Sequence, residues 1–99
     1  SCAMPVNHMV WIKFRPDVPA ERIAQHEAGL RSLKHRVPGV LDVTVGRNFT
    51  DRANGCTHGV MVILEDKAAL AAYAPHPAHV EVATALRADG EIMALDYEF

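Results

Sequence analysis

The sequence predicts an α+β fold, an antiparallel sheet with helices on one face, in the order β-α-β-β-α-α-β. Three observations lead there. Apolar residues alternate with period two in four separate stretches, as half-buried strands require. Between the first two stretches, apolar residues recur at helical spacing instead. Between the last two, prolines cut a helical segment into two short pieces. The order is a split βαβ arrangement, whose right-handed crossovers put all the helices on one side of the sheet.

From Val6 to Phe14, residues Val6, His8, Val10, Ile12 and Phe14 share one face, with Met9 and Trp11 on the other. The Arg15-Pro16-Asp17-Val18-Pro19 stretch ends this strand, because proline cannot donate to a ladder. Pro19 suits the first turn of a helix over Ala20 to Val37, where Ile23, Leu30, Leu33 and Val37 recur at helical spacing. Gly29 within it implies close packing, and Pro38-Gly39 ends it. Val40 to Phe49 alternates through Leu41, Val43 and Val45 as a second strand. Asp51 to Gly55, with its Asn-Gly pair, reads as a hairpin connection to a third strand, Thr57 to Leu64. Asp66 caps a short helix to about Tyr73. Pro75 and Pro77 break it, and Pro77 opens a helix over Ala78 to Ala88 with Val82, Ala83 and Leu86 inward. Gly90 ends that helix, and Ile92 to Phe99 is the last strand.

Ninety-nine residues suit a single domain, taken here as 4–99, with Ser1 to Ala3 left aside as a processing remnant. With 49% hydrophobic and 22% charged residues the chain is a globular mix. A net charge of −2 offers no basic patch, so neither nucleic acid nor an anionic membrane is an expected partner. The longest apolar run, Val60 to Leu64, is too short to cross a bilayer. No charged-then-apolar leader opens the chain, and Cys2 and Cys56 make no disulfide framework. Unpaired thiols in the cytosol are the expectation.

Both faces of the central strands are apolar. Met9 and Trp11 on strand 1, and Met61 and Ile63 on strand 3, lie opposite the helix-facing residues. Such a face needs a cover, and a second copy packing sheet against sheet supplies one, giving a homodimer.

Six histidines are unevenly placed. His35 falls on the exposed side of the first helix, and His26 could touch the core but has no evident partner. His8 and His58 begin strands on the helix-facing side, while His76 and His79 flank the start of the third helix, just after Tyr73. Gathered around one hollow, Tyr73, His76, His79, His8 and His58 would make a proton-transfer site, with imidazoles exchanging protons and a phenol donating to an oxyanion. Each has a structural alternative: a satisfied core histidine, an imidazole bonded to the helix start (His76), or a core wedge (Tyr73). His76-x-x-His79 could be a metal pair, but no third ligand is signalled. No metal and no cofactor are expected.

The run Tyr73-Ala-Pro-His76-Pro77-Ala78-His79 resembles the Y-x-x-H-P-x-H signature of the stress-responsive dimeric α/β-barrel family. His8-Met-Val-Trp-Ile-Lys-Phe14, Pro38-Gly39-Val40, Gly46-Arg47-Asn48, Thr57-His58-Gly59 and Asp96-Tyr97 are similar to segments its members carry, so the resemblance spans about residues 7–97. It implies a ferredoxin-like fold that dimerises sheet to sheet into a barrel. It also implies a stress-associated protein binding a small organic molecule in a Tyr/His pocket. A plant polyketide cyclase in the family implies a cofactor-free enzyme reading, aldol condensation with His79 as base and Tyr73 as oxyanion donor. On that analogy His8 and His58 orient His79. Helix 1 departs from that cyclase, since Ala20 to Val37 has no aromatic residue. A cofactor-independent monooxygenase-like activity, found in the wider superfamily, is a further alternative.

Overall fold

The computed structural model describes residues 3–99, so Ser1 and Cys2, with the thiol expected at Cys2, lie outside it. Its strands are β1 (Val6–Phe14), β2 (Val40–Arg47), β3 (His58–Leu64) and β4 (Gly90–Glu98). Its helices are α1 (Ala20–Arg36), α2 (Lys67–Tyr73) and α3 (Pro77–Asp89). The four strands form one antiparallel sheet in the order β2-β3-β1-β4, a ferredoxin-like α+β fold. Among the described residues no helix is long and apolar enough to cross a membrane.

The alternation read from β1 becomes the two sides of this sheet. Val6, Val10, Ile12 and Phe14 are buried under the helices with Val60, Val62 and Leu64 of β3. Leu30, Leu33 and Val37 come down from α1, and Val82 and Leu86 from α3. On the helix-free side Trp11, Met93, Leu95 and Tyr97 are 41%, 56%, 59% and 43% exposed. Met9, Met61 and Ile63 on that side are half-buried.

Several element ends differ from the sequence reading by one or two residues. β2 stops at Arg47 rather than Phe49, because Asn48 turns the chain by bonding Thr50 and Cys56 carbonyls, leaving Phe49 95% exposed. The β2–β3 connection is therefore longer than a tight hairpin. Its Asn-Gly pair still makes the sharp turn, with Asn54 at φ 56° and Gly55 at φ 85°. Gly90 ends α3 as expected, and it also opens β4 in extended backbone, two residues before the expected Ile92. A Cβ there would lie 2.5 Å from the Lys13 carbonyl oxygen, so close strand pairing excludes a side chain. Gly29 faces Val82 of α3 at a spacing (3.5 Å to a built Cβ) that would still admit a methyl group.

His26, which had no evident partner, has a strong one. Its Nε2 lies 2.6 Å from Asp89 Oδ2, with both residues buried. Arg22 Nε and Nη2 donate to the same carboxylate at 2.8 Å each, and Arg15 donates to the Ala88 carbonyl at 2.6 Å. Phe14 stacks on His26 at 5.5 Å. The last residue of α3 is thereby tied to α1 and to the end of β1. The Arg22 hydrogen bond, then that of His26, holds the Asp89 carboxyl down to about 2 against an ordinary 3.8.

A carboxylate held below its unfolded value stabilises the fold above the unfolded pKa and loses that contribution as pH falls through the folded one. Asp89→Asn should therefore lower the Tm near neutral pH, and the gap to wild type should close as pH drops from 3.8 towards about 2. Thermal melts followed by circular dichroism over that range check it. A gap independent of pH would show that the charge of Asp89 contributes nothing.

Candidate functional site

The site is built where the prolines interrupt the helices. Asp66 caps α2 by accepting from Ala69 N at 2.8 Å, and Tyr73 is the last residue of that helix. Proline cannot continue a helical hydrogen-bond ladder, so the chain turns through Ala74-Pro75-His76 before Pro77 starts α3. His76 caps the new helix, its Nδ1 accepting from Ala78 N at 3.1 Å. His79 follows in the first turn of α3. Its Nδ1–H donates back to the Ala74 carbonyl at 2.9 Å. A carbonyl can only accept, so this bond fixes the proton on Nδ1 and leaves Nε2 as the basic atom of the neutral ring.

Tyr73 and His79 are thus brought together from successive helices, ring centroids 4.3 Å apart and tilted by 41°. His8 meets Tyr73 edge-on from β1, at 5.8 Å. The ionised Asp96 carboxylate on β4 accepts from His8 Nδ1, again leaving Nε2. These three side chains line one cavity of about 230 Å³ between sheet and helices. Most of its wall is carbon, from residues such as Val10, Leu30, Val62 and Leu70, and Arg87 is its one other charged group.

Burial sets the protonation states. Tyr73 is 2% exposed, and loss of hydration pushes its phenol up to about 12, so it stays a hydrogen-bond donor at neutral pH. Burial likewise lowers His79 below the ordinary 6.5, outweighing the opposing hydrogen bond to the Ala74 carbonyl, while His8, Arg87 and His76 add to the lowering. His79 is therefore a neutral base near pH 7.

Two residues expected in this cluster are elsewhere. His76 is used as the helix cap and does not line the cavity. His58 lies at the other end of the sheet: β3 runs antiparallel to β1, so His58 pairs with Ile12, while His8 pairs with Val62. Four residues of strand separate the two imidazoles by about 13 Å. His58 packs edge-on against Phe14 at 5.0 Å and cannot orient His79, a role filled by the Ala74 carbonyl. Asp96 and Arg87 were not anticipated as site residues. Asp96 was within reach of the sequence, because the end of a strand antiparallel to β1 must lie beside the start of β1.

The model of the Stress responsive A/B Barrel Domain family matches residues 6–99. A stress-response A/B barrel domain-containing protein of Arabidopsis thaliana is 30% identical over 97 residues, covering 95% of this chain and 89% of that protein. Olivetolic acid cyclase of Cannabis sativa is 28% identical over 97 residues, covering 95% of this chain and 96% of the cyclase. A solved structure from a Jannaschia species, described as a dimeric ferredoxin-like protein of unknown function, is 28% identical. It matches with a TM-score of 0.83, covering 96% of this chain and 99% of its own.

Ring-proton NMR of the histidines should give His79 a midpoint below 6.5. Because the unfolded ring takes up a proton at 6.5 and the folded one resists it, acidification through that range should disfavour the fold. A midpoint at or above 6.5 would contradict the buried, neutral base. Tyr73→Phe, which keeps the ring and removes one hydroxyl, should change unfolding free energy in urea by no more than ~1 kcal/mol. A much larger loss would make the phenol a structural group.

Proposed function

The chain belongs to the stress-responsive A/B barrel domain family, and we propose that its cavity binds a small carbonyl compound and moves a proton on it. The observation that carries this reading is the His79–Ala74 hydrogen bond beside Tyr73. It supports a base whose Nε2 lone pair has no internal competitor, next to a phenol that stays protonated. Nε2 takes a proton from the carbon alpha to a carbonyl, and the Tyr73 O–H donates to the oxygen as it gains enolate character. The C–H electron pair moves into the enolate, so the step needs no electron carrier. His8, held by Asp96, faces the same space and can return the proton or bind a second oxygen. Arg87 suits a carboxylate on the bound molecule.

About 230 Å³ lies below the usual range of ~300–1,000 Å³ for ligand sites, which suits a compact molecule with an apolar body. The likeness to olivetolic acid cyclase supports the same chemistry carried one step further, with the enolate closing on a second carbonyl of the same molecule. We also take residues 4–99 to act as one domain in a homodimer joined through the open sheet face. The exposed Trp11, Met93, Leu95 and Tyr97, and the dimeric Jannaschia structure, support this.

Exchange of the α-protons of 2,4-pentanedione in deuterated buffer, followed by NMR, tests the function. Wild type should accelerate exchange over buffer, and His79→Ala should remove roughly 10²-fold or more of that acceleration. Tyr73→Phe should slow it with the fold intact. Saturable shifts at His79 without any acceleration would reduce the site to a binding pocket, and rates equal in wild type and His79→Ala would remove His79 as base. For the assembly, Trp11→Glu should elute as a smaller, less stable species in size-exclusion chromatography. Unchanged elution and melting would reject the sheet-to-sheet dimer.

A further inference from the structure

The structure holds a second and larger cavity, of about 820 Å³, at the opposite end of the sheet. It lies between the first half of α1, the end of β1 and the long β2–β3 loop, and shares no lining residue with the Tyr73 cavity. We propose that it is a separate binding site, centred on His58 and Arg47, for a small carboxylate that also carries an O–H or N–H donor.

His58 is buried, 7% exposed, and lines this cavity. Its Nδ1 is 2.9 Å from Thr57 Oγ1. That hydroxyl accepts from Phe14 N and lies 3.2 Å from the Ile12 carbonyl, so its own proton can go to the carbonyl or to the ring. Either way Nδ1 is engaged inside the protein, and Nε2 has no partner in the protein among the described residues. Burial lowers the ring below the ordinary 6.5, so it is uncharged near pH 7 and its Nε2 can join a hydrogen bond to a bound molecule.

Arg47 is the cross-strand partner of His58, so both side chains leave the sheet on the same face. Arg15, the other cation of the lining, is taken by Ala88 and Asp89, whereas Arg47 makes no ion pair among the described residues. Glu27 lines the cavity from α1 and Asp51 from the β2–β3 loop, both as hydrogen-bond acceptors. The wall therefore offers one free guanidinium for an anion and two carboxylates that accept from donors. That chemistry fits hydroxy- or amino-carboxylates, unlike the carbon-walled cavity of Tyr73.

4-Hydroxybenzoate is the probe, titrated into the full chain while the six histidine ring signals are followed by NMR. It should shift His58 saturably and leave His8 and His79 unmoved. Benzoate, lacking the donor, and phenol, lacking the carboxylate, should each bind about tenfold or more weakly. Arg47→Gln, an exposed change that the fold tolerates, should weaken 4-hydroxybenzoate by a similar factor. No shift at His58 up to the solubility of the probe, equal binding in Arg47→Gln, or movement of the His8 and His79 signals instead would each overturn the proposal. Because the exchange assay reads the Tyr73 cavity and the titration reads His58, either site can fail without the other.

Discussion

The Tyr73 cavity depends on one backbone constraint, the inability of Pro75 and Pro77 to continue the ladder of α2. Had the helix run on, Tyr73 and His79 would sit six residues apart on a single rod, about 120° apart around its axis and ~9 Å apart along it. The break swings α3 away, and the exposed carbonyl of Ala74 becomes the acceptor that holds His79. His76 accepts from Ala78 N, so the break leaves the new helix start capped. Backbone needs therefore consume His76 and the Nδ1 of His79, and the chemistry is left with Nε2 and the phenol.

A second constraint operates at the far end of α3. Asp89 gathers Arg22, His26 and Arg15 from α1 and the β1–α1 connection. This fixes both ends of α3 against the layer beneath, the first by the turn after Tyr73 and the second by a buried carboxylate. Val82, Ala83 and Leu86 between them can then form one wall of the cavity without closing it. The helix packs as a beam held at its ends, which is how a small core keeps open space beside well-packed carbon.

Much of this was legible in the sequence, and what was not has a common cause. Alternation assigns a side chain to a face, so Val10, Ile12, Val60 and Val62 were placed correctly, as was the apolar open side bearing Met9 and Trp11. It says nothing of position along the sheet. His8 and His58 share a face, yet each begins its strand, and antiparallel neighbours begin at opposite ends. The same rule read forwards would have joined His8 to Asp96. The tie of His26 to Asp89 was hidden for another reason: it spans 63 residues, and no local pattern announces which helix end meets which. Gly90 ends α3 as read, and its second role, admitting the close approach of β1 at the start of β4, shows only once the strands are paired.

His8, His58 and His79 are all held through Nδ1, by a carboxylate, a hydroxyl and a carbonyl. The carboxylate and the carbonyl accept from Nδ1 of His8 and His79, whereas the Thr57 hydroxyl can give or take a hydrogen. His8 faces a carboxylate, whereas the neutral Ala74 carbonyl and the carbon around His79 favour the uncharged ring. On the proposed function, the cavity thus sets a neutral base beside a phenol that stays protonated, the pairing that proton abstraction next to a carbonyl needs. His58, equally neutral but facing a free guanidinium across β2, has no phenol and no second imidazole beside it. On the two proposals made above, the ferredoxin-like sheet carries proton transfer at one end and carboxylate recognition at the other.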